Sequence, residues 1–115
     1  MIRRASEMPT EVREHMRGGD GQVQLTALLQ PEEMLGKGRL FSTITLEPGC
    51  SIGEHQHVGE AEIFYIVQGA ARITDNGAEH VLQAGDMLFT GDGDRHSVAN
   101  AGNETMVMVA VILYS

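Results

Sequence analysis

Beyond residue 21, apolar and polar positions alternate in short stretches that repeatedly stop at glycine. Gln22 to Leu29 sets Val23, Leu25, Ala27 and Leu29 on one side, the period of a strand. Arg39 to Leu46 is rich in β-branched and apolar residues and closes at Glu47-Pro48-Gly49, a strong turn signal. Glu62 to Gln68 reads as a strand ended by Gly69, and Ala70 to Thr74 runs into Asp75-Asn76-Gly77. Asn-Gly is the preferred pair for a tight type I′ hairpin, so Glu79 to Gln83 should return alongside. Met87 to Thr90, Ser97 to Asn100 and Met106 to Tyr114 complete the strands. Strands this short, punctuated by glycine, predict an all-β sandwich or barrel and not βαβ units. Gln30 to Leu35 reads as a turn or short helical segment, and Glu11 to Arg17 as a helical turn stopped by Gly18-Gly19. The organisation expected is an N-terminal arm over 1–21, mobile or lying across a partner subunit, and one β domain over 22–115.

Length and composition narrow this further. A chain of 115 residues with 42% hydrophobic and 21% charged side chains suits one globular domain with a real core. Sixteen acidic against eight basic residues leave a formal charge of −8. Such a field repels phosphate backbones and anionic lipid, which argues against nucleic-acid and membrane partners. The single cysteine, Cys50, excludes an intrachain disulfide framework. No apolar signal core follows Arg3 and Arg4, and the apolar run Met106 to Tyr114 is far shorter than the ~20 residues a membrane helix needs. A cytoplasmic location is the expectation.

Four polar residues carry the candidate chemistry: His55, His57, Glu62 and His96. Residues two apart on a strand share a face, so His55 and His57 can send two imidazoles toward one point. Glu62 adds a carboxylate, and only a closed sheet would bring His96 beside them. Neutral imidazoles with one carboxylate suit one divalent transition metal such as Zn, Mn, Fe, Ni or Cu.

The spacing Gly49-x5-His55-x-His57-x4-Glu62-x6-Gly69 resembles the first signature motif of the cupin superfamily, with every defining position present. After fifteen intervening residues, Gly85-x5-Gly91-x-Gly93-x2-His96-x3-Asn100 resembles the second, with Gly91 where that motif has proline. The resemblance implies a jelly-roll β-barrel with a metal at its centre, held by His55, His57, Glu62 and His96. It also implies turn roles for Gly49, Gly69, Gly85 and Gly93, a structural role for Asn100, and pairing into a homodimer. Glycine at position 91 predicts a looser loop before His96, because glycine enlarges the unfolded ensemble.

For the remaining residues the plain reading is structural. Glu54 and Glu60 are expected as solvated rim charges, and His15, His80, Arg39 and Arg72 at the surface. Cys50 is expected to be a packed thiol, and Met87, Met106 and Met108 to fill the core, with Phe41, Phe64 and Tyr65 in the core or an interface. Glu60 and Tyr65 are the nearby residues that could serve as an acid or base. Two functions follow: a metal-dependent enzyme on a small molecule, of dioxygenase, isomerase or decarboxylase type, or a non-catalytic module that binds or senses a small molecule.

Overall fold

The computed structural model describes residues 1–115. Ten strands are present: β1 (Thr10–Glu14), β2 (Gln22–Leu29), β3 (Gly38–Leu46), β4 (Ser51–Gln56), β5 (Glu60–Gln68), β6 (Ala70–Asp75), β7 (Ala78–Gln83), β8 (Met87–Thr90), β9 (Arg95–Asn100) and β10 (Met106–Tyr114). They form two antiparallel sheets, one ordered β1-β2-β3-β10-β5-β8 and the other β4-β9-β6-β7, closed on one another as a jelly-roll barrel. The helical content is three single 3-10 turns, one of them at Pro31–Glu33 as expected. None is long and apolar enough to cross a membrane.

Alternation decides which side chains enter the barrel. Along β10, Met106, Met108, Ala110 and Ile112 point inward. Along β5 the inward row is Glu62, Phe64 and Ile66, so the same parity that buries an aromatic ring also buries a carboxylate. β9 repeats this with His96, Val98 and Asn100. Removing water from apolar side chains such as Phe64, Ile66, Met106 and Met108 contributes roughly 1.5–3 kcal/mol each, which offsets the cost of taking the polar residues inside. At the opposite end, Asn100 Nδ2 donates to the carbonyls of Leu46 (2.8 Å) and Glu104 (2.7 Å), the structural role expected of it. The Asn76-Gly77 turn has positive φ at both residues and joins Asp75 to Ala78, as a type I′ hairpin requires.

Several sequence expectations are corrected. Glu11 to Arg17 is no helical turn: Thr10–Glu14 pairs with β2 as an edge strand, because an exposed sheet edge satisfies its backbone better than a short isolated helix does. Its side chains are all exposed, and only Met16, in the 3-10 turn that follows, packs against the core. Met87 is on the outer face of β8 and 53% exposed, so of the three methionines only Met106 and Met108 are core. Of the aromatic residues expected in the core or an interface, Phe64 is buried, and Tyr65 faces outward, which leaves only the interface for it. In the loop before His96 the Gly91 amide donates to Asp94 Oδ2 (3.2 Å), a bond proline could not make. The Asp94 amide returns to the Gly91 carbonyl at 3.0 Å.

Candidate metal centre

Two cross-strand pairs face each other inside the barrel. Glu62 of β5 stands opposite Thr90 of β8, and His55 of β4 stands opposite His96 of β9. His55 reaches this position through a β-bulge. Ile52 pairs with Val98 and His55 with His96, so β4 spends three steps where β9 spends two. The extra residue reverses the parity of β4 and turns His55 to the same interior as Ile52. His57 lies just past the end of β4, not on the strand as the His-x-His spacing suggested. Its amide donates to the Asp94 carbonyl (3.0 Å) and its carbonyl accepts from the Gly93 amide (2.6 Å), which carries the alignment one residue further.

The four side chains meet. His57 Nε2 and His55 Nε2 each lie 3.1 Å from His96 Nε2, and Glu62 Oε1 lies 2.9 Å from His57 Nε2 and 3.1 Å from His96 Nε2. One donor atom from each residue falls within 4.8 Å of all the others, so the group could hold a metal ion. His57, Glu62 and His96 are buried and His55 is half-buried, facing the opening.

The outer nitrogens show which lone pairs face inward. His55 Nδ1 is 2.8 Å from the Gly53 carbonyl, and His57 Nδ1 is 2.6 Å from Glu60 Oε2. Neither partner has a proton to give, so both rings carry theirs on Nδ1 and present Nε2 to the centre. His96 Nδ1 is 2.7 Å from the buried Thr90 hydroxyl, which can accept in the same way, and the His96 ring stacks on Phe64 at 4.9 Å and 13°. Nitrogen lone pairs 3.1 Å apart repel unless a proton or a cation lies between them. The carboxylate beside them stabilises either one, and outer acceptors of this kind accompany metal-ligating histidines generally. The donor set fits a divalent transition ion.

Charge follows from these contacts. The hydrogen bond to Glu62 raises the His57 pKa above the usual imidazole value, against burial, and Glu60 adds to it. Burial lowers that of His55, only partly opposed by the Gly53 carbonyl. For Glu62 burial is the largest single influence and acts upward, but the hydrogen bonds from His57 and His96 together outweigh it and its pKa falls. Glu60 is held at about 2, first by its hydrogen bond from Arg39. Arg39 Nε and Nη2 each donate to that carboxylate at 2.8 Å. Glu60 is therefore not a solvated rim charge: with Arg39, which stays partly exposed, it forms a relay that orients His57, and Glu60 stays ionised.

Residues that the sequence did not single out are Thr90, the Gly53 carbonyl and Arg17. An acceptor six residues before a histidine on a different strand leaves no local pattern. The bulge glycine at 53 was the one visible sign of unusual backbone.

The centre forms one wall of a cleft of about 1030 Å³ lined by His55, His57 and Glu62 inside and by Arg13, Arg17 and Arg39 among others toward its mouth. Met16, Leu25, Ile44 and Ile112 give it apolar walls.

Comparison with known proteins agrees with this architecture. A family model described as "Cupin domain" matches residues 42–112. The chain is 44% identical over 113 residues to an oxalate-binding protein of Thermotoga maritima, covering 98% of this chain and 93% of that one. It superposes over the full length of both chains, with a TM-score of 0.96 and 43% identity, on a crystal structure from Thermotoga maritima described as a predicted oxalate decarboxylase. It is also 33% identical over 89 residues to the tetracenomycin polyketide synthase protein TcmJ of Streptomyces glaucescens, covering 77% of this chain and 57% of that protein. With both spaced motifs inside the matched region and their polar residues gathered in one barrel, the chain belongs to the cupin family.

Proposed function

We propose that this protein holds one divalent transition metal through His55, His57, Glu62 and His96 and uses it to bind a small dicarboxylate, oxalate being the test ligand. The observation that carries the reading is the convergence of three imidazole Nε2 atoms and one carboxylate at the inner end of a cleft with arginines toward its mouth. Such an ion supplies a Lewis-acid position for a bidentate oxygen ligand. The protein's own part is to orient the ligands: Gly53, Glu60 and Thr90 set the three rings, Phe64 backs His96, and the apolar walls exclude water around a small anion. The name of the Thermotoga relative supports the choice of oxalate.

Calorimetry of oxalate against metal-loaded and chelator-stripped protein tests this. Binding by the loaded form alone is expected; equal heats from both, or none from either, would refute it. A second reading, decarboxylation, is favoured by the description of the solved relative. It needs an acid to protonate the carbon that loses carbon dioxide. Glu60, whose carboxyl group lies at His57 Nδ1, is held ionised by Arg39, which favours binding over turnover. Formate and carbon dioxide released from oxalate would establish the second reading.

Residues 22–115 are taken as the metal-holding domain and 1–21 as an arm that edges its cleft. A homodimer is proposed, supported by the apolar outer face of β5 and β8, where Tyr65, Val67, Met87 and Phe89 are about half exposed beside an unpaired strand edge. The single free cysteine supports a reducing, cytoplasmic setting.

A further inference from the structure

Three arginines line the cleft, and two are already engaged. Arg13 donates to Glu11, and Arg39 makes a paired contact with Glu60. Arg17 has no carboxylate partner. A free cation in the mouth of a cleft is notable in a chain of net charge −8, where acidic partners outnumber basic ones two to one.

Its position is built, not incidental. Arg17 sits in the left-handed region (φ 55), and so does His15 two residues earlier (φ 50). For residues with a Cβ this conformation is uncommon and persists where surroundings over-determine it. Here they do. The His15 amide donates to the Gly21 carbonyl (2.9 Å), the Ser51 amide to the Asp20 carbonyl (2.9 Å), and the Asp20 amide to Ser51 Oγ (2.8 Å). The backbone of this loop lies so close to β4 that a Cβ on Gly53 would stand 2.0 Å from the Arg17 carbonyl oxygen. A Cβ on Gly19 would stand 2.2 Å from the Ser51 carbonyl oxygen. Gly53 is also the residue whose carbonyl orients His55. The loop bearing Arg17 is thus seated on the strand that supplies a proposed ligand.

We propose that Arg17 donates to the outward-facing carboxylate oxygens of a dicarboxylate held at the centre and makes the cleft selective for dianions over monoanions. The inference rests on the proposed function. A divalent ion with Glu62 leaves one net positive charge, which a monocarboxylate already balances. Arg17 adds free guanidinium donors, which the further carboxylate of a dianion can use. Of the other acidic residues in the cleft, Glu11 is taken by Arg13, while Glu14, on the exposed strand β1, accepts from the uncharged Gln22 amide at 3.3 Å and keeps its charge. The role of Arg17 therefore rests on its unengaged hydrogen-bond donors and not on net charge. A guanidinium fork suits a carboxylate better than an ammonium does.

The test is calorimetry of manganese-loaded protein with oxalate and with acetate, comparing the wild type with Arg17→Asn and Arg17→Lys. Asparagine tolerates the left-handed region, so the first variant removes the charge while sparing the loop. Metal content and melting temperature of each variant are measured alongside. Arg17→Asn should bind manganese as the wild type does and lose oxalate affinity by about tenfold or more, the usual scale for a charge-assisted hydrogen bond. Acetate affinity should stay within about twofold, and Arg17→Lys should fall between for oxalate. Unchanged oxalate affinity in Arg17→Asn, or an equal loss for acetate, would overturn the role of Arg17 alone. Should Arg17→Asn lose metal or fail to fold, Arg17→Lys decides: oxalate binding equal to wild type overturns the proposal. Absence of oxalate binding by the wild type would overturn the proposed function, and this inference with it.

Discussion

Thr90 Oγ1 lies 2.7 Å from His96 Nδ1, with both side chains closed off from solvent. Thr90 comes from β8, beside Glu62, while His96 comes from the other sheet, so one hydrogen bond links the two sheets at the proposed metal.

Thr90→Val keeps the shape and removes the acceptor, leaving the His96 Nδ1 proton unsatisfied. Metal affinity should fall about 10–100-fold, as for other outer partners of histidine ligands. Stability should fall by roughly 1–3 kcal/mol, the cost of a buried group left unpaired. A competition titration against a chromophoric chelator and a urea melt read the two effects separately. Unchanged metal affinity would remove Thr90 from the centre.

Replacing His55, His57 or His96 singly by alanine should abolish stoichiometric metal, measured by elemental analysis of protein purified without chelators or nickel resin. His55→Ala, at the half-buried position, should cost the least stability. His96→Ala should cost the most, because it also removes the ring stacked on Phe64. Full metal content in any of the three would show that the histidine is not a ligand.

Acidity should weaken the loaded protein more than the stripped one, in which the raised pKa of His57 and the lowered pKa of His55 act in opposite directions. The raised His57 pKa stabilises the stripped fold fully below the unfolded imidazole value of ~6.5, and this gain is lost as pH rises through the higher folded value. In the loaded protein the same proton competes with the metal, so the metal-induced rise in melting temperature should be large near pH 7.5 and fade through about pH 6 to 5. The depressed pKa values of Glu60 and Glu62 contribute above the unfolded carboxylate value of ~4.3, and for Glu60 this is lost as pH falls toward about 2. Thermal melts from pH 4 to 8, with and without chelator, check the steeper loss in loaded protein; parallel curves would contradict it.

Gly53→Ala should dislodge the loop that carries Arg17, since its new Cβ would collide with backbone and not with a flexible side-chain tip. A loss of roughly 1–3 kcal/mol is expected, in line with other overpacked sites. Hydrogen exchange should report it locally, as lost protection at the Ser51 amide that donates to Asp20. Wild-type protection there would mean the loop accommodates the methyl group.

A homodimer mass by light scattering is expected for the wild type, and Phe89→Asp, placing a charge in the exposed apolar face of β5 and β8, should shift it to monomer. A monomeric wild type would refute the pairing.

Much of this protein is determined by its sequence alone. Alternation along Met106 to Tyr114, the Asn76-Gly77 turn and the spacing of His55, His57, Glu62 and His96 specify an all-β chain and its candidate ligands, because strand period and turn chemistry are local. What only the tertiary structure decided is non-local. The Glu11 to Arg17 segment becomes a strand because β2 offers it an unpaired edge. His55 faces inward because β4 gains one residue against β9 at the bulge. Glu60 turns from rim charge to His57 partner because Arg39, twenty-one residues away on β3, reaches it past the intervening strand β10. Arg17 stands in the cleft because two glycines, 19 and 53, let the backbones meet. Each depends on which strand lies beside which, and that is settled by burial of the whole core and not by any short stretch of sequence.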